Sequence, residues 1–420
     1  MSKRDLRKTL HPGDRFEVTV DNVAHGGIFV ARTEQGVVFV PDALPGERVV
    51  VELSRVAKSF AHAETIEILE ASADRVDHFW PEAGIDRAPA ERAGGAEFGH
   101  IRLPVQRELK TTVLREAMQR FGGVDTGVTV KAAPGDANRN GLGWRTRIRL
   151  QVDDRGRQGP FAARTHNVVP VTSLPLASEA IRRDALLEER LAGATSVEYV
   201  EHSEGVEIIA TEGALPKGPT QTIVERVGER EFRLDRAGFW QVHREAASLL
   251  TGAVTRAIDT SLADPKAANL DLYGGVGLFA AAIGDLLGPT TRVVSVEGNE
   301  VATDHASENL SEWVGAQAVT APVAAFLAAA AATASPAERQ RYTAATVVLD
   351  PPRAGAGREV VDSLASLAPA QIIYVACDPV ALARDTGLLR EHGYELAALE
   401  SFDLFPHTHH LESVASFRRA

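Results

Sequence analysis

Asp271-Leu-Tyr-Gly-Gly-Val-Gly-Leu-Phe279 closes an apolar run that begins at Ala268, and this passage from strand through glycines into a helical stretch decides the fold. Gly275 and Gly277 let the backbone approach a ligand closely before the helix starts, while Ala280 stands where a dinucleotide fingerprint has its third glycine. Three more apolar runs follow, Arg292 to Glu297, Thr346 to Asp350 and Gln371 to Ala376, each trailed by polar loop residues and a helical stretch. Such alternation predicts an α/β domain built on a parallel, doubly wound sheet, with ligands at the carboxyl ends of its strands. Glu297 closes the second strand some 20 residues beyond the glycines, where an acid accepts the hydroxyls of a ribose. Loop and acid together point to an adenosine cofactor.

The other strand ends carry chemistry too. The third closes in Asp350-Pro-Pro-Arg353, where two prolines stiffen the turn and fix the directions of a carboxylate and a guanidinium. The fourth closes in Ile373-Tyr-Val-Ala-Cys377-Asp-Pro379, which holds the only cysteine of the chain. Most lone cysteines are buried and inert, but a thiol on the sheet edge that carries the glycine loop is a candidate nucleophile if a neighbour such as Arg353 lowers its pKa. The last segment, Asp403-Leu-Phe-Pro-His-Thr-His-His-Leu-Glu412, brings three histidines without a thiolate or carboxylate set at ligand spacing, so no metal is expected. Glu412, between Leu411 and the strand-like Val414 to Phe417, is a candidate general base.

Towards the amino terminus the pattern changes. Residues 14–69 read as five short strands separated by Gly26-Gly27, Gln35-Gly36 and Pro45-Gly46, which suggests a small OB-like barrel, either for RNA or for packing alone. Ala71 to Phe98 reads as a linker, Pro104 to Phe121 as a helix stopped by Gly122-Gly123, and Val128 to Leu234 as strands with one helix around Ser178 to Leu191. Within that stretch Arg145, Arg147 and Arg149 alternate, so as a strand they share a face suited to phosphates. Arg139, Arg155, Arg157 and Arg164 add to it, outweighing Asp153 and Asp154. The bland alternative is a solvated edge strand paired with acids.

The 420 residues suggest two or three domains, and a net charge of −12 argues, as an average, against nucleic acid. The arginine stretch answers that objection locally. One cysteine excludes disulfides and thiolate clusters. No run reaches the roughly 18 apolar residues of a membrane span, and Met1 to Lys8 has no apolar stretch behind its charges, so a cytoplasmic protein with no membrane partner is expected.

Five motifs together resemble the S-adenosylmethionine-dependent RNA 5-methyluridine methyltransferases over nearly the whole chain: Phe239-Trp-Gln-Val-His243, Asp271-Leu-Tyr-Gly-Gly-Val-Gly277, Asp350-Pro-Pro-Arg-Ala-Gly355, Tyr374-Val-Ala-Cys-Asp-Pro379 and Phe405-Pro-His-Thr-His-His-Leu-Glu412. The resemblance implies a TRAM-like barrel at 9–69, a central, mostly β RNA-binding domain at 70–235, whose helix at 104–121 is a candidate to pack on the catalytic domain, and a Rossmann-like class I methyltransferase domain at 236–420. It implies that Gln241, Tyr273, Gly275, Gly277, Glu297 and Asp350 hold S-adenosylmethionine, that Cys377 adds to C6 of uracil, and that Glu412 removes the C5 proton. Arg353, Arg145, Arg147 and Arg149 would grip a structured RNA, ribosomal before transfer RNA, and the enzyme would act as a monomer. The target base would be flipped out of its stack.

The sequence also departs from the family. Positions that hold a four-iron cluster in many relatives fall on Arg87, Ala93, Ala96 and Leu174, so no iron–sulfur cluster is expected. The usual asparagine of the glycine loop falls on Leu278, and the acid or amide near the adenine edge, around Ala321, is missing. Two other classes compete: an exocyclic-amine methyltransferase, which would place an aromatic residue where Arg353 stands, and a non-catalytic RNA-binding factor, which intact Cys377, Glu412 and Asp350 disfavour.

Overall fold

The computed structural model describes residues 6–163, 165–212 and 221–419, so Arg164 and the first five residues fall outside the description. Strands β1 (Arg15–Thr19), β2 (Asn22–Val23), β3 (Phe29–Arg32), β4 (Val37–Val40), β5 (Arg48–Val56) and β6 (Phe60–Glu70) form one sheet in the order β1-β5-β6-β4-β3-β2. Alternation selects its core: Val38, Val40, Val49, Val51, Leu53, Ala61 and Ala63 point inward and are buried. The two-residue β2 is the strand that the pattern does not announce.

Residues 71–98 are irregular but not a spacer. Trp80, Ala93, Ala96 and Phe98 are buried, and Glu47 at the base of the barrel takes the Arg75 guanidinium through Nε (2.7 Å) and Nη2 (2.6 Å), pinning this segment to the barrel. α1 (Leu103–Ala117) runs on into a wider π-helical turn at Met118–Gly122 before Gly123, at φ 63°, ends it.

β8 (Arg147–Val152), β9 (Gln158–Gly159), α2 (Glu179–Asp184), β10 (Ser196–His202) and β11 (Gly205–Thr211) contribute a four-stranded sheet in the order β11-β10-β8-β9; β12 (Thr222–Val227) and β13 (Arg230–Asp235) form a hairpin. The helix expected over 178–191 is only α2: Ser178 caps it, and beyond Asp184 the chain leaves helical geometry at Ala185.

An eight-stranded sheet carries the rest, with β7 (Val130–Ala132), α3 (Ala246–Ala257), β14 (Asn269–Leu272), α4 (Leu278–Leu287), β15 (Arg292–Glu297), α5 (Glu300–Asn309), β16 (Gly315–Thr320), α6 (Val323–Thr333), α7 (Pro336–Thr343), β17 (Thr346–Leu349), α8 (Gly357–Leu367), β18 (Gln371–Ala376), α9 (Pro379–Glu391), β19 (Tyr394–Asp403) and β20 (Glu412–Arg419). Its order is β16-β15-β14-β17-β18-β20-β19-β7. The five strands from β16 to β18 are parallel, and β20 lies antiparallel between β18 and β19. Both faces are covered, so β14, β17 and β18 are buried along their whole length.

β7 joins the large sheet from the other side of the expected boundary at 235, and α1 packs with it. β7 pairs with β19 through Ser401 and Val130, and Leu114, Ala117, Met118 and Val130 share a core with Leu270, Val347 and Ile372. α1 and β7 thus pack as part of the doubly wound unit, although they precede the expected boundary by more than a hundred residues. Among the described residues no helix is long and apolar enough to cross a membrane.

Candidate active site

The functional side chains gather at the carboxyl ends of β14, β15, β17 and β18, where the strand order leaves a crevice. Tyr273 leaves β14 at φ 62°, a conformation that costs any residue with a Cβ, and the turn continues through Gly275 (φ 53°) and Gly277 (φ 90°). A Cβ on Gly274 would come within 2.1 Å of Ser295 Oγ, whereas one on Gly275 would meet nothing within 4 Å. The turn is therefore a backbone ledge, tight against the sheet behind and open in front. Asp271 underpins it: its Oδ2 accepts from Ala280 N–H (2.8 Å) at the start of α4, while Oδ1 is buried with no partner. Burial pushes this carboxyl up to about 8.

Glu297 holds the ledge from the side. Oε2 accepts from Gly275 N–H (3.1 Å) and Oε1 from Asn299 N–H (2.8 Å), which leaves a lone pair on each oxygen for the hydroxyls of a ribose. Gln241 is half-buried beside buried Trp240, on a segment fixed by His243, whose Nε2 donates to Asp136 Oδ2 (3.0 Å) under the Trp144 ring. An open ledge, an acid with spare acceptors and the Asp350 carboxyl beyond them fit an adenosyl sulfonium. Leu278, buried against Leu310 and Val276, and Ala321, packed on the apolar core, offer that ligand no polar side chain, as their residue types imply.

The nucleophile and base candidates face each other through strand register. Ala376 of β18 pairs with Ser413 of β20, so Cys377 and Glu412, one residue further towards the same sheet end, stand side by side. Glu412 is 5% exposed and its Oε2 has no partner. Burial, with the neighbouring Asp350, holds its carboxyl well above the carboxylate range, against the pull of Arg353. Burial pushes Asp350 itself up to about 7. Cys377 behaves contrary to the sequence expectation: burial, then Glu412 and Asp350, push the thiol up to about 12, and Arg353 opposes them without prevailing. One guanidinium faces both the thiol and the Glu412 carboxyl.

Two further groups hold this cluster, and no local pattern announces either. Asp385 of α9 accepts from Tyr374 Oη (2.7 Å) and from Ala356 N–H (2.7 Å), anchoring the turn that follows Asp350. Lys110 of α1, buried, donates to Asp403 Oδ1 (2.5 Å) and Phe405 O (3.0 Å), and Gln106 receives His407 N–H (2.7 Å), so α1 clamps the segment that ends in Glu412. A cavity of about 160 Å³ opens at Cys377 and Arg353, bounded by His409, His410 and the barrel residues His25 and Gly27.

The arginine face is not free as expected. Arg147 donates to Gly238 O (2.8 Å) and lies 3.4 Å from Glu225, and Arg145 donates to Arg147 O (3.0 Å) with its guanidinium over the Trp144 ring. Of these three arginines, Arg149, 42% exposed beside Glu198, keeps its head near solvent. β8 is an inner strand: Glu225 of β12 meets Arg147 and Glu198 of β10 meets Arg149, so packing takes up much of the charge. At the four positions of the relatives' cluster, Ala93, Ala96 and Leu174 are buried in one apolar core and Arg87 donates to Glu91 O (3.0 Å), a set that cannot ligate iron.

A family model described as tRNA (uracil-5-)-methyltransferase matches residues 231–419, and a TRAM domain model matches residues 10–66. An uncharacterized RNA methyltransferase of Streptomyces avermitilis is 35% identical over 440 residues, covering 96% of this chain and 98% of the relative. Another, of Bifidobacterium longum, is 35% identical and covers 96% of each. Among solved structures, the Pyrococcus abyssi tRNA (uracil-54, C5)-methyltransferase in complex with S-adenosyl-L-homocysteine superposes with a TM-score of 0.67 at 22% identity, over 96% of this chain and 99% of that one. The α/β fold with its amino-terminal TRAM barrel is therefore that of a class I methyltransferase, and the chain belongs to the TRAM-bearing, S-adenosylmethionine-dependent RNA methyltransferases of the (uracil-5-) family.

Proposed function

We propose that the protein methylates C5 of one uridine in a structured RNA through a covalent adduct on Cys377. The observation that carries this reading is the pairing of the sole cysteine with a buried, unpartnered carboxyl, set side by side by the Ala376 and Ser413 register. C5 of uracil is a weak nucleophile, and a thiolate added at C6 turns it into an enolate carbon. Bound S-adenosylmethionine supplies an electrophilic methyl and a positive charge next to these acids. Cys377 Sγ, as thiolate, bonds to C6; C5 takes the methyl; Glu412 receives the C5 proton; the Sγ–C6 bond then breaks and the thiolate returns. The raised proton affinity of Glu412 suits a base that must capture a carbon-bound proton.

In this reading Gln241, Tyr273, Gly275, Gly277, Glu297 and Asp350 hold the cofactor, while Arg353 and Arg149 meet the RNA. Arg145 and Arg147 shape the central sheet. The TRAM resemblance favours ribosomal RNA, the enzyme works as a monomer, and its place is the cytoplasm. Mapping 5-methyluridine in ribosomal and transfer RNA from cells with and without the enzyme tests the assignment. Loss of one ribosomal 5-methyluridine supports it; loss from transfer RNA alone moves the substrate to the class named for the Pyrococcus abyssi neighbour; no loss refutes the activity.

A further inference from the structure

The loop between β2 and β3 belongs to the barrel, yet it touches both segments of the catalytic pair. Ala24 N–H donates to Ile28 O (2.7 Å), closing a tight turn over Gly26 and Gly27 at φ 83° and 74°. On one side His25 Nε2 donates to Asp378 Oδ2 (2.7 Å), across 353 residues of sequence. Asp378 directly follows Cys377, and its other oxygen caps α9, accepting from Val380 N–H (2.9 Å) and Ala381 N–H (2.8 Å). One carboxylate thus fixes the turn that bears the nucleophile and receives a side chain from the barrel. On the other side Gly27 lies so close to the segment leading to Glu412 that a Cβ there would come within 2.6 Å of His409 Cβ. His409 is itself held, its N–H (2.9 Å) and its ring both bonded to Glu97. The cavity at Cys377 is bounded by this loop on the barrel side.

We propose that the Ala24–Ile28 loop is a wall of the substrate pocket and that His25 is a positioning residue, which acts through Asp378 to hold the Cys377 turn in register with Glu412. The proposal rests on the uridine methyltransferase reading. It assigns the barrel a part in catalysis beside any grip on RNA. The loop and Arg353 both line the cavity, so the loop also bounds the shape of base that can reach Sγ.

The test uses the full-length protein with S-adenosyl-[methyl-³H]methionine and total RNA from cells lacking the enzyme, under single-turnover and steady-state conditions. His25→Ala is expected to lower the methyl-transfer rate about tenfold, with KM for RNA changed by no more than about twofold. Affinity for S-adenosylhomocysteine stays at the wild-type value. His25→Gln, whose amide N–H reaches the same carboxylate, restores most of the rate. Asp378→Asn keeps the cap but loses the acceptor for His25, and it reproduces the defect. An unchanged rate in His25→Ala, a rise in KM alone, or a loss that His25→Gln does not rescue overturns the proposal. Wild type that transfers no methyl to any RNA would instead overturn the uridine methyltransferase reading.

Discussion

At the scale of single residues the Cys377 thiol is the least expected feature. Proximity to a guanidinium is the usual route to a reactive thiolate, but here burial and two carboxyls outweigh Arg353. Because the chain has one cysteine, its alkylation reports this site alone. Iodoacetamide should react slowly at pH 7 in the cofactor-free protein and about tenfold faster per pH unit up to pH 9; a plateau near pH 7 would show a thiolate that the structure does not support. Asp271 makes a second prediction. Its carboxyl is raised from 3.8 to about 8, so the neutral form favours the fold, and the stability it contributes below pH 4 is lost as pH rises towards 8. Asp271→Asn keeps an acceptor for Ala280 N–H and removes the charge. It should stabilise the cofactor-free protein at pH 8 by on the order of 1 kcal/mol, a gain that fades by pH 5. Calorimetry at the two pH values decides, and equal or negative effects at both would contradict the account.

At the scale of elements, four of the five parallel strands and the residues at their ends are legible because buried strands are unbroken apolar runs and the chemistry sits where they stop, whereas β16, a half-buried edge strand, makes no such run. Cys377 and Glu412 could be named from the sequence, although their adjacency depends on the register between β18 and β20. The packing of the helix over 104–121 on the doubly wound unit is open to sequence reasoning, but the pairing of β7 is not: β7 is three residues long, and its partner β19 lies some 270 residues away. The arginine strand shows another limit. Alternation tells that Arg147 and Arg149 share a face, not whether that face is packed. Arg147→Ala should destabilise the protein by about 3 kcal/mol by leaving Glu225 buried without its cation, and should leave the salt dependence of RNA binding unchanged. Arg149→Ala should do the opposite, sparing stability and lowering the salt slope by about one. Thermal unfolding and RNA titrations at several salt concentrations separate the two, and exchanged effects would return Arg147 to the RNA-binding surface.

For the whole molecule, the net charge of −12 is compatible with an RNA substrate because charge acts locally, and several of the arginines that first answered the objection serve the fold. Ala93 and Ala96 lie far in sequence from Leu174, and all three are buried in one apolar core beneath the central sheet. The barrel meets the catalytic sheet at the mouth of the cavity, and this juncture joins residues 353 positions apart, which no local pattern could reveal. The central claim is that Cys377 forms a covalent bond with the target base while Glu412 waits as the base. Total RNA from cells grown on 5-fluorouracil replaces the departing C5 proton with fluorine, which cannot leave as a cation. Incubated with this RNA and S-adenosylmethionine, the wild-type protein and Glu412→Gln should form a protein–RNA band stable on a denaturing gel, and Cys377→Ala should form none; a band of wild-type intensity from Cys377→Ala would contradict the mechanism.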